Sequence, residues 1–97
     1  MILEKEKWKA GLQVVVVNTE DPSLAELTTI GTKGVVTTVH LGALDEFYHH
    51  YQHNNNEYAK HTPIRVEAED VIFWASPIEL SLLINNNVEP LNIPDII

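Results

Sequence analysis

Cysteine is missing altogether from the 97 residues, which excludes a disulfide framework and a thiolate metal cluster. Basic residues are scarce: 6 Lys and Arg stand against 14 Asp and Glu, for a formal charge of -8. Such a balance repels phosphate backbones and anionic lipid surfaces, so nucleic-acid binding is disfavoured. No apolar run approaches the roughly 18 residues of a membrane span. The first ten residues are charged rather than a basic stretch followed by an apolar one, the pattern of a secretory leader. The expectation is a cytoplasmic protein with no membrane partner. Only 4 glycines are present, and the one clustered pair, Gly31 and Gly34 around Lys33, lacks the full Gly-x-x-x-x-Gly-Lys-Ser/Thr pattern of a phosphate loop.

At this length one core is expected, burying roughly two-thirds of the unfolded surface and folding without staples. The acids are scattered, with no block of five or six, as on a solvated surface. Steering toward a basic partner, or mimicry of nucleic acid, remain open as uses of that charge.

Four consecutive valines make 12–17 a strand, β-branched and too short for a helix, typical of burial on both faces. Residues 1–10 alternate charged and apolar side chains and read as an edge strand or an arm carrying Trp8 onto the core. Asp21-Pro22 starts a helical turn over 23–27, Asp capping and Pro in the first position. Gly31 and Gly34 bracket a turn, and 35–41 is a second β-branched strand. Leu44, Phe47, Tyr48 and Tyr51 fall at i, i+3, i+4 and i+7, the stripe of a short helix that Asn54, Asn55 and Asn56 end. After Pro63, Ile64, Val66 and Ala68 alternate with Arg65, Glu67 and Glu69, the pattern of a strand with one wet face. Residues 71–75 form another strand, Ser76-Pro77 starts a helical turn, and 81–84 is a short closing strand. The segment 85–97, with Pro90, Pro94, Leu91, Ile93, Ile96 and Ile97, reads as a frayed tail.

The glycine-led strand from Gly11, the Asn18-Thr19-Glu20-Asp21-Pro22 loop, Ile30-Gly31-Thr32-Lys33-Gly34-Val35-Val36, Ile64-Arg65-Val66-Glu67 and Trp74-Ala75-Ser76-Pro77-Ile78-Glu79-Leu80 follow in an order that resembles small Src-homology-3-like (SH3-like) barrels. Relatives of that kind include accessory subunits of electron-transfer complexes, ribosome- and transcription-associated modules, and small proteins of bacteria and phages. The resemblance implies an all-β fold: a small, partly closed antiparallel barrel over 11–84 with one short inserted helix. Residues 1–10 are then an arm and 85–97 a tail. The chain departs from the pattern by inserting about twenty residues, 42–62, between two barrel strands, a long connection for a compact domain.

No catalytic constellation emerges. Ser23, Ser76 and Ser81 lack the Gly-x-Ser-x-Gly elbow, and Glu20/Asp21, Asp45/Glu46 and Glu69/Asp70 have sufficient roles at turns and at a helix start. His49 and His53 are four apart and share a helix face, the spacing at which two imidazoles bind one zinc. His50, Tyr51 and Gln52 stand between them where an HExxH motif needs its Glu. An exposed histidine face with His40, His50 and His61 nearby, and neither metal nor cofactor, is the expectation. The aromatics point to a binding surface: one of Phe73 and Trp74 must face inward, and the other is left outside. Glu20, Asp21, Tyr48, Tyr51, Tyr58 and Trp74 are the candidate partner-binding residues. The chain is thus read as a non-enzymatic protein-binding module with a protein partner, one version being a phage or mobile-element protein that engages a host factor. The alternatives are an accessory subunit of a larger complex and a histidine-based metal- or small-ligand-binding protein. Self-association is left open.

Overall fold

The computed structural model describes residues 3–84 and 87–88, and the valine run lies inside its sheet. Strand β1 (Gln13–Val16) pairs antiparallel with β2 (Lys33–Val39) on one side and β5 (Leu80–Ile84) on the other. Val14 and Val16 enter the core, and Val15, on the opposite face, is buried as well. The expectation of burial on both faces is met.

β3 (Ile64–Ala68) and β4 (Ile72–Ala75) continue the sheet beyond β2, and the two-residue β6 (Asn87–Val88) extends it beyond β5. The order is β4-β3-β2-β1-β5-β6, with every pairing antiparallel. The fold is mostly β, as expected. Its sheet is not closed into a barrel, because β4 and β6 end the order without pairing to each other. A helical layer makes closure unnecessary: helix α2 (Leu41–Gln52) brings Leu44, Phe47 and Tyr48 into one apolar cluster with Val36, Ile64, Val66 and Phe73.

Local chemistry places the boundaries. In α1 (Pro22–Leu27) the Asp21 carboxylate accepts the Ser23 N–H at 2.9 Å, and Pro22 takes a first-turn position that needs no donor. Gly31 has φ 101°, a left-handed conformation that favours glycine. Gly34, expected in the same turn, is instead inside β2. There a Cβ would stand 2.6 Å from Val66 Cγ1 and 2.8 Å from the Glu67 carbonyl, so its role is close strand approach. An irregularity between Val36 and Thr38 shifts the β2–β3 register and lets Val36 and Val39, three apart, pair with the inward Val66 and Ile64.

β2 stops at Val39 rather than at residue 41, because His40 Nδ1 accepts the Ala43 N–H at 3.1 Å and caps α2. At the other end Asn54 adopts φ 54°. Asn55 then caps a 3-10 turn, Asn56–Lys60, by accepting the Glu57 N–H at 3.0 Å. The N-terminal arm is a 3-10 turn, Lys5–Lys7, followed by Trp8, which is buried as its reading on the core requires. The tail expectation for 85–97 lies outside the described residues except at Asn87–Val88, which pair with β5. No described helix is long and apolar enough to cross a membrane.

Candidate functional site

The inserted segment is not a free loop. Phe47 is fully buried and organises three tyrosines: Tyr48 meets it edge-on at 5.3 Å, Tyr51 stacks at 5.7 Å, and Tyr58 meets it edge-on at 5.7 Å. Tyr51 and Tyr58 are half-buried, and Tyr48 is only 8% exposed. The Tyr48 hydroxyl accepts the Trp8 indole N–H at 2.8 Å and donates to the Leu3 carbonyl, tying arm to helix. Burial pushes this hydroxyl's pKa far up, so it stays protonated. The i, i+3, i+4, i+7 stripe that identifies the helix therefore also explains where its rings go.

In the first loop Glu20 is exposed and accepts from the Asn18 amide at 3.3 Å, whereas Asp21 is committed to the α1 cap. The Asp21 N–H donates at 3.0 Å to Glu79 Oε2, and Glu79 Oε1 accepts the Ser76 N–H at 2.8 Å. Glu79 is 1% exposed, and burial pushes its carboxyl above the ordinary range against the pull of these bonds. Sequence reasoning counted it among the scattered acids. Its place after Ser76-Pro77, where the chain turns before β5, was the available signal.

The strand register separates the remaining aromatics. Val36, Val66 and Phe73 form one inward row, so Phe73 is buried and its neighbour Trp74 faces out. On that outer face Val35, Glu67 and Ile72 form one row, and Thr38, Arg65 and Trp74 the next. Trp74 is 42% exposed, Ile72 52% and Val35 40%: Ile72 and Trp74 are same-face neighbours on β4, and Val35 lies across Glu67 from Ile72, an exposed cluster that the alternation rule alone did not assemble. Arg65 Nη1 reaches Thr37 Oγ1 at 2.7 Å and Glu67 Oε2 at 2.9 Å, which holds its charge beside Trp74 and against Glu67. Glu69 and Asp70 are exposed at the β3–β4 turn. A shallow groove of about 330 Å³ adjoins the patch, lined by Gln13, Lys33, Val35, Glu67 and Glu69 among others.

The histidines divide into three uses. His40 caps α2, and the exposed His49 and His53 stand with rings 4.7 Å apart, the His53 Nδ1 within 2.7 Å of the His49 carbonyl. His50 and His61 are half-buried and stack on each other at 5.6 Å. Of the serines that lack a nucleophile elbow, Ser23 lies in the first turn of α1, Ser76 in the turn before β5, and Ser81 is buried in β5. Compared with protein-family models, curated proteins and solved structures, the chain matches none.

Proposed function

We propose that this chain is a non-enzymatic protein-binding module, and that it binds through the outer sheet face around Trp74. The observation that carries the reading is the joint exposure of Trp74, Ile72 and Val35 on one face of β2, β3 and β4. Exposed apolar side chains set among Arg65 and Glu67 on a rigid sheet favour a partner, and Trp is an effective anchor because it combines area with little conformational freedom. The occupant is a protein surface with apolar side chains set among Lys and Arg. Its basic character follows from Glu69 and Asp70 beside the patch and from the chain's formal charge of -8. Tyr48 and Asp21 are withdrawn from the candidate surface because their polar atoms serve the fold; Glu20 stays as an exposed acid. The SH3-like architecture is part of this proposal. It rests on the glycine-led first strand and the Ser76–Glu79 turn before the closing strand, where the Glu79 N–H donates to the Ser76 carbonyl at 3.0 Å.

The test is affinity capture from the native cell with wild-type protein, Trp74→Ala, and Tyr51→Ala as comparison, each with its thermal melt. Trp74→Ala should weaken capture by about 30-fold, the effect of a hot spot worth about 2 kcal/mol, with the protein still folded at the capture temperature. Capture should also weaken as salt is raised. Undiminished capture by a folded Trp74→Ala variant would refute the assignment.

A further inference from the structure

Glu46 and His50 are one helical turn apart on α2, and the 3-10 turn brings His61 back beside them. Glu46 Oε2 and His50 Nε2 are 3.4 Å apart, and one ligand atom from each of the three residues lies within 4.8 Å of the others. Donor atoms about 2.0–2.1 Å from a tetrahedral ion are separated by roughly 3.4 Å, so the Glu46–His50 spacing already suits one ion. His61 needs an inward adjustment of about 1.4 Å at most, and its ring, stacked on His50, has to turn so that the in-plane lone pair of its nitrogen meets the ion.

We propose that Glu46, His50 and His61 form a binding site for a first-row divalent transition metal of the zinc class. Two imidazoles and a carboxylate suit such an ion, whereas Ca²⁺ and Mg²⁺ prefer sets made of oxygen. Three protein ligands leave a coordination position open to water or to a partner's side chain. An ion pair joins Glu46 to His50 and ring stacking joins His50 to His61, so these contacts already gather the three groups and a shared ion would use the same placement.

Packing makes the third ligand dependable. Tyr58 packs edge-on to both Phe47 and Tyr51, and the His61 N–H donates to the Tyr58 carbonyl at 3.1 Å. The turn carrying His61 is thereby fixed to the helix carrying the other two ligands. His50 lies in the last turn of α2, where the carbonyl ends of the helix favour a cation. Glu57, whose carboxyl is held low chiefly by Lys60 and more weakly by His50 and His61, adds negative charge nearby. The exposed pair His49 and His53 is the competing site, and it offers two ligands in place of three.

The experiment is calorimetric titration of the EDTA-stripped full chain with ZnCl₂. One ion per chain should bind saturably. His50→Ala and His61→Ala should each weaken binding by at least about 10-fold, since even groups that only orient a ligand are worth about 10–100-fold. His49→Ala and His53→Ala should bind as wild type does. Should a ligand variant fail to fold, NMR of the wild-type imidazoles decides: Zn²⁺ should shift the ring resonances of His50 and His61 most, those of His49, whose ring lies edge-on to His50 at 5.3 Å, less, and leave those of His40 and His53 in place. Absence of saturable binding, or binding carried by His49 and His53, overturns the proposal. Loss of the Trp74 surface would not affect any of these readouts.

Discussion

Glu79 is the buried group whose removal the structure prices most directly. Its two carboxylate oxygens accept N–H groups from Ser76, beside it in the turn, and from Asp21, 58 positions away at the α1 cap. Glu79→Ala leaves both donors without that acceptor. A buried unsatisfied polar group costs about 1–3 kcal/mol; the Asp21 site is only partly buried, which puts the pair at about 2–5 kcal/mol. For a domain whose whole stability is about 5–15 kcal/mol, that lowers the melting temperature by on the order of 10–30 °C.

The same carboxyl makes a pH signature. Desolvation raises it above its ordinary value of 4.5, so the folded state holds the proton more tightly than the unfolded chain. Its contribution to stability is therefore fully present below 4.5 and declines as pH rises through the folded value. Urea unfolding of wild type and Glu79→Gln at intervals from about pH 4 to pH 8 tests this, because the amide cannot titrate. Wild type should lose stability relative to Glu79→Gln as pH rises. A gain relative to the amide with rising pH would mean that the two N–H donors outweigh desolvation, and a cost below about 1 kcal/mol for Glu79→Ala would refute the bridging role itself.

Gly34→Ala should lower stability by about 1–3 kcal/mol in thermal melts, because the new methyl meets backbone as well as the Val66 side chain. Tyr48→Phe strands the Trp8 indole N–H, and urea melts followed by tryptophan fluorescence should show a loss of about 1–3 kcal/mol. Trp74→Ala removes a ring that is 42% exposed and should cost about 1–2 kcal/mol in thermal melts, which is why its effect on capture is read at a temperature well below the melt.

What the sequence showed and what it hid divide along a physical line. The valine run, the stripe through Leu44, Phe47, Tyr48 and Tyr51, and the alternation of Ile64, Val66 and Ala68 are periodic, and period reports which face meets the core. Asp21-Pro22 and the asparagines at 54–56 were readable because their chemistry is local. Gly34 was misplaced because glycine serves turns and close strand contacts equally, and only the position of Val66 separates them. The choice between Phe73 and Trp74 depended on the register set across the β3–β4 turn. His61 could not be joined to His50 from spacing, because ten residues of helix end and 3-10 turn lie between them.

The long connection between β2 and β3 was expected to hold the working surface, since long loops in compact domains bind partners or remain disordered. A third outcome applies when the connection carries a helical stripe: its apolar rings become a layer of the core. An open antiparallel sheet exposes two faces, and α2 covers the inner one with Leu44 and Phe47. Tyr48 is then consumed in seating the helix, Tyr51 and Tyr58 stay half-buried beside Phe47, and the face the helix does not reach offers a second exposed surface. There the alternation that buries Phe73 necessarily exposes Trp74. The helix keeps a different capacity on its solvated flank, where Glu46 and His50 lie off the apolar stripe and the turn anchored by Tyr58 delivers His61. The rings that close the core thus also hold the three candidate ligands at their spacing, so Tyr58→Ala should loosen zinc binding at His61 while leaving capture through Trp74 intact.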